Sequence, residues 1–147
     1  MSYGLYILTA RDASDNGCII DAAAQVAREP DRIAISVQMG NYTRELIEKT
    51  GVFNLSVLTQ NVPQEVIQRF GMQSGRDLDK FQDFPATARS RNGLLYVTEN
   101  TNAMIGCKVV SKTDMGSHML FIGEVTESKV LSNDPSITYA DYRKNRR

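Results

Sequence analysis

The stretch Ala103–Leu131, "AMIGCKVVSKTDMGSHMLFIGEVTESKVL", decides the fold. Two long runs, "AMIGCKVVSKTD" and "HMLFIGEVTESKVL", are rich in β-branched and aromatic residues and bounded by turn residues, so both read as strands. Only Met115, Gly116 and Ser117 join them. A connection that short allows only antiparallel pairing. Arms of this length point to an antiparallel barrel or sandwich. His118, the single histidine of the chain, opens the second arm at the hairpin rim. On this stretch alone, a packed structural histidine is the simpler reading.

The flanking sequence is also mainly strand. "GLYILTA" reads as a strand that ends at "RDASDNG", where Asn16-Gly17 is a turn signal. "CIID" is a short apolar run. "AAAQVAREP" reads as a loop or a turn of helix, because the residue before Pro30 avoids helical geometry. "RIAISVQ" alternates, with Ile33, Ile35 and Val37 facing one way. "GNYTRELIEKTG" reads as a helix with Asn41 or Thr43 as N-cap and Gly51 as terminator. "VFNLSVL" is another strand, and "VPQEVIQRFG" a second helix with Pro63 at its start. Residues 72–93 are polar and loop-like, and "LLYVTE" returns to strand. The pattern predicts roughly six strands and two short helices, without the regular alternation of a doubly wound sheet. The expected class is therefore mainly β, antiparallel, with helices as lids. Residues 1–132 are expected to form one domain, and 133–147 a polar, basic tail or linker remnant.

Composition excludes several functions. Lys+Arg and Asp+Glu are both 17, so the formal net charge is zero, which argues against broad binding to nucleic acid or to a membrane surface. The start "MSYGLYILTA" lacks a basic flank and a long apolar run, and no later run is long enough to span a bilayer, so a cytoplasmic location is expected. Cys18 and Cys107 are far apart and read as structural thiols. One histidine cannot furnish a multi-histidine metal centre, so no metal is expected. There is no "GxSxG" elbow. Any catalysis would rest on a bound cofactor.

Three segments suit such a cofactor. The small residues of "DNGCIIDAAAQVAREP" would let backbone groups approach a planar ring, or would form a tightly packed crossover. In "SVQMGNYTREL", a strand delivers Gly40, Asn41, Tyr42 and Thr43 to a helix start, which suits a phosphate or plain N-capping. In "QSGRDLDKF", Ser74, Gly75 and Arg76 offer backbone donors and a guanidinium, or a solvated loop.

In order and spacing, "GLYILTARD", "NGCIIDAAAQVAREP", "ISVQMGNYTRELIEKTGVFNLSVL", "FGMQSGRDLDKF" and "GSHMLFIGEV" resemble the flavin reductase-like, FMN-binding split barrel family over nearly the whole chain. The resemblance is nearest to the flavin reductase domains of high-molecular-weight rubredoxins. It implies a dimeric, Greek-key-like split barrel and an FMN-dependent NAD(P)H oxidoreductase. Electrons would pass from NADH or NADPH to rubredoxin, a flavodiiron protein, free flavin or ferric iron. An FMN-binding electron-transfer module without its own nicotinamide site is the alternative. The resemblance further implies that Asn16, Cys18, Ile19, Ile20, Asp21 and Gln25 cup the isoalloxazine through main-chain groups. Val37 and Gln38 would lie beside it. Asn41, Tyr42, Thr43, Ser74, Gly75 and Arg76 would meet the ribityl phosphate. His118 would place the nicotinamide. Where many members carry an acidic residue before this histidine, the chain has Ser117. No paired CxxC iron site is present, so a separate carrier or a module beyond a linker is expected to take the electrons. The tail, with Tyr139, Tyr142 and the basic residues of "YRKNRR", would cover a partner subunit's site or guide an acidic carrier, or would be a frayed polar terminus.

Overall fold

A computed structural model describes residues 1–145. The long hairpin forms as expected. Its arms are the longest strands, Thr101–Asp114 and His118–Val130. In chain order the strands are β1 (Tyr6–Asp12), β2 (Ser14–Ile20), β3 (Ala23–Arg28), β4 (Asp31–Gln38), β5 (Val52–Leu58), β6 (Thr87–Arg89), β7 (Leu95–Val97), β8 (Thr101–Asp114) and β9 (His118–Val130). The helices are α1 (Tyr42–Thr50), α2 (Gln64–Gly71) and α3 (Tyr139–Asn145). Seven strands form one antiparallel sheet in the order β2-β1-β5-β8-β9-β4-β3, and β6 pairs with β7. Register shifts between Gly106 and Cys107 and between Val109 and Ser111 bend β8. Such bulges add twist and let a long hairpin curl with the barrel.

Inside the curled sheet, Leu8, Ile35, Val37, Ile47, Phe53, Leu55 and Phe121 are almost completely buried. Gly123 makes this interior possible: a Cβ there would fall 2.7 Å from the Cys107 Cβ and 2.8 Å from the Phe53 ring. A second core gathers Leu5, Ile7, Leu58, Ile67, Phe70 and Val97. The ring of Phe70 lies 5.1 Å from Phe81 and 5.3 Å from Phe84, so α2 anchors the loop that follows it.

Four details differ from expectation. Asn16-Gly17 is not a turn but lies within β2, opposite Ala10 and Thr9. The chain instead reverses at Ala13, which takes φ 61°. "AAQVAR" is not loop or helix but edge strand β3, paired with β4; the ladder outweighs the helical preference of alanine. Thr87–Arg89, expected as loop, forms the short strand β6 and pairs with β7, which lies in the expected "LLYVTE" strand. Segment 133–145 is packed: Ile137 and Tyr142 are buried in the second core, and α3 is a third helix. Arg146 and Arg147, part of the expected basic tail, lie outside the described residues.

Candidate functional site

The site grows from the junction of β4, α1 and β9. Gln38, the last residue of β4, lies opposite His118, the first of β9. The Met39 N–H donates to the Ser117 carbonyl (2.9 Å), fixing the hairpin rim against the β4–α1 connection. Asn41 is the N-cap of α1: its Oδ1 accepts from the Thr43 N–H (2.8 Å). A helix start leaves its first N–H groups without intrahelical partners, and one side-chain cap satisfies only part of them.

Two cavities meet here, sharing Gln38, Asn41 and Gly71. The first, about 330 Å3, is bounded by Asn16, Gly40, Tyr42, residues 72–75 and Lys80. The second, about 350 Å3, is bounded by Ile19, Ile20, Asp21, Ser36, His118 and Tyr139. The first cavity is backed by a buried polar chain. The Asn16 Nδ2 donates to the Thr43 Oγ1 (2.8 Å), and neither residue is appreciably exposed. Gly75 passes so close that an added Cβ would sit 1.9 Å from the Asn16 Oδ1. Lys80 is 3% exposed, with its Nζ donating to the carbonyls of Gly17 (2.8 Å) and Phe70 (3.1 Å). Burial holds this ammonium below the usual lysine range. In the second cavity, the Ser117 Oγ lies 2.8 Å from the His118 Nδ1. A proton shared there leaves the His118 Nε2 edge for a ligand.

The structure brings many of the expected residues together and reassigns others. Asn16, Ile19, Ile20, Asp21, Gln38, Asn41, Tyr42, Ser74, Gly75 and His118 border the two cavities. The side chains of Cys18 and Val37 point into the core, and that of Ile20 is largely buried there, so Cys18 and Val37 have only main-chain groups to offer. Burial raises the thiol of Cys18 and pushes that of Cys107 up to about 12, which makes both unreactive. Gln25 lies apart from both cavities and bonds Asp31 (2.9 Å) on the β3–β4 hairpin. Thr43 stands behind Asn16 rather than on the cavity wall. The Arg76 guanidinium lies over the Tyr42 ring (4.8 Å) and pairs with Glu45. The expectations missed Lys80 and, as a cavity residue of its own subunit, Tyr139. Lys80 belongs to the "SGRDLDKF" motif, but a lysine among acidic residues gives no sign that it is buried.

The family model described as the flavin reductase like domain matches residues 1–147. The chain belongs to the flavin reductase like family. It is 36% identical to a high molecular weight rubredoxin of Moorella thermoacetica, over all of this chain and 64% of that protein. The chain thus spans less than two thirds of that relative. It is also 36% identical to a ferric-chelate reductase (NAD(P)H) of Archaeoglobus fulgidus, over 97% of this chain and 84% of the relative. Among solved structures, an NADH:FAD oxidoreductase of Streptomyces globisporus superposes with a TM-score of 0.85 at 17% identity, covering 94% of this chain and 81% of that one. An FMN-binding protein of Thermus thermophilus superposes at 0.81 with 19% identity, covering 90% and 73%. These superpositions identify the fold of this flavin reductase family member as the split barrel.

Proposed function

We propose that this protein is an FMN-dependent NAD(P)H oxidoreductase that passes electrons to a small redox protein such as rubredoxin, or to free flavin or ferric iron. The observation that carries this reading is the pair of adjoining cavities, one polar at a helix start, the other bordered by His118. The names of the Moorella and Archaeoglobus relatives support the donor and acceptor classes.

The residues present fit FMN. Gly40 borders the polar cavity, and a Cβ there would meet no atom within 4 Å, so a side chain at this position would extend into open space beside the helix start. The start of α1, Ser74 and the backbone at Gly75 offer one phosphate locus, which suits a mononucleotide better than the pyrophosphate of FAD. Lys80 adds positive charge behind it. Main-chain groups of residues 16–21 and Gln38 would hold the ring. When bound, the flavin supplies hydride and single-electron chemistry.

The residues of the chain supply placement. Asn16, held by Thr43, fixes one wall; His118, held by Ser117, presents a hydrogen-bonding edge to an incoming nicotinamide carboxamide. The Ile19 side chain would offer an apolar wall beside that meeting point. No side chain needs to act as acid or base in hydride transfer.

A homodimer fits the family and a shallow apolar hollow of about 210 Å3 bordered by Tyr6, Ala23, Ile33, Leu55, Val57 and Ile105. Among the described residues no helix is long and apolar enough to cross a membrane, and a cytoplasmic location fits that finding. Spectral titration with FMN and FAD tests the cofactor assignment. FMN is expected to bind one per chain and more tightly than FAD, and Gly40→Val to abolish uptake. Equal uptake by the Val variant would contradict the placement.

A further inference from the structure

A third cavity, about 580 Å3, opens where residues 1–3 meet α3. Tyr3 and Tyr139 give it aromatic walls, Ser2 and Thr138 give it hydroxyls, and the exposed Arg143 and Lys144 stand on it as cations. Tyr139 also borders the His118 cavity, so the two hollows share one residue. This wall is tied down: the Tyr139 N–H donates to the Tyr3 carbonyl (2.8 Å), and Gly4 pairs with Thr138 as an antiparallel bridge. Among the described residues, neither Arg143 nor Lys144 has an ion-pair partner. The nearby carboxylate of Asp141 accepts from the Thr138 N–H (3.2 Å).

We propose that this cavity receives the adenosine half of the nicotinamide cosubstrate, with Arg143 and Lys144 binding a 2′-phosphate, so that the enzyme prefers NADPH. The proposal rests on the function proposed above, and it adds the choice between the two nicotinamides. A concave, aromatic-lined hollow suits a planar base, whereas a flat basic patch would suit a protein surface. Guanidinium groups bind phosphate through paired charge-assisted hydrogen bonds, and an arginine is a common answer to a 2′-phosphate. Both cations are exposed, so leaving them unpaired costs little. Discrimination must therefore come from a gain with NADPH rather than a penalty against NADH.

The test uses the full, FMN-loaded chain. Calorimetric titration compares adenosine 2′,5′-bisphosphate with ADP, and stopped-flow reduction compares NADPH with NADH. The bisphosphate is expected to bind about tenfold or more tightly than ADP. An Arg143→Ala/Lys144→Ala variant should lose that preference, raise the half-saturating NADPH concentration by a similar factor and leave that of NADH unchanged. The site is contradicted by equal affinity for the two nucleotides, by no binding of either, or by a preference that survives the double substitution. A variant impaired only in electron delivery to an acidic carrier would likewise contradict it. The two readings fail separately: preferential bisphosphate binding without flavin reduction by either nicotinamide overturns the oxidoreductase but keeps the site. Equal reduction by both nicotinamides in parent and variant overturns the site but keeps the oxidoreductase.

Discussion

His118 is half-buried at the hairpin rim, one hydrogen bond from Ser117 and across a strand pair from Gln38. A placement role predicts that His118→Ala keeps its fold and FMN but reduces single-turnover flavin reduction by nicotinamide about tenfold to a hundredfold, roughly 1.4–2.7 kcal/mol of barrier. Dithionite should still reduce the variant. A melting point and FMN affinity that fall while hydride transfer holds would assign the histidine to packing instead. Thr43 acts at one remove. Thr43→Ala frees the Asn16 amide and removes a buried partner, so FMN affinity should fall by about 1–2 kcal/mol, and flavin titration would read it directly. Unchanged affinity would detach the Asn16–Thr43 pair from the cofactor. Which positions gather at the site was legible from motif order: Asn41, Ser74 and His118 lie far apart in sequence and converge. Which way each side chain faces was less so. The alternation of Ile33, Ile35 and Val37 does point Val37 inward, and it is buried. No comparable pattern marks Lys80, whose burial is set by α2 and the loop folding over β2.

At the level of elements, β2 and β6 are joined by one carboxylate. Asp15 receives Arg11 (2.8 Å) from β1 and Arg89 (2.9 Å) from β6. Burial pushes its carboxyl up, but the two guanidinium groups outweigh that and hold it below the usual range. A lowered folded-state pKa stabilises above the ordinary carboxylate range and is lost as pH falls through the folded value. Asp15→Asn should therefore cost up to about 1 kcal/mol at pH 7, since both arginines are partly exposed, and the difference should shrink as pH falls below the ordinary carboxylate range and through the lowered folded value. Denaturant melts at pH 7 and down an acid series measure this; a cost that does not shrink in acid would deny the charge pairing. Within the barrel, Gly123→Ala would drive a methyl group against Phe53 and Cys107, with an expected loss of about 1–3 kcal/mol. The hairpin and helices were legible because period, caps and terminators agree. The β1–β2 turn was not, because Ala13 is an unusual residue for φ 61°, while the more obvious Asn-Gly pair is drawn into the ladder where Phe81 packs 3.3 Å from the Gly17 Cβ position. For α3 a signal was present: in "TYAD" the Thr138 Oγ1 accepts from the Asp141 N–H (3.0 Å), and the carboxylate answers at the Thr138 N–H.

For the whole molecule, the antiparallel β class followed from the long hairpin, whereas the choice of barrel over sandwich and the cofactor could be reached only through the family motifs. Physical reading of the sequence finds strands and helix starts; it does not find the curvature that turns three separated segments into adjoining cavities. The apolar hollow at Tyr6, Ala23 and Leu55 predicts a dimer, so light scattering should give about twice the chain mass of 16.4 kDa. A mass near that of one chain for the FMN-loaded protein would exclude a stable dimer. The most direct measurement is anaerobic stopped-flow mixing of the FMN-loaded protein with NADPH and with NADH, followed at the flavin absorbance. The expected result is rapid, saturable bleaching of a stoichiometric FMN, slowed by His118→Ala without loss of the flavin. A protein that takes up no FMN, or that holds FMN unreduced by either nucleotide while dithionite bleaches it, would contradict the proposed oxidoreductase.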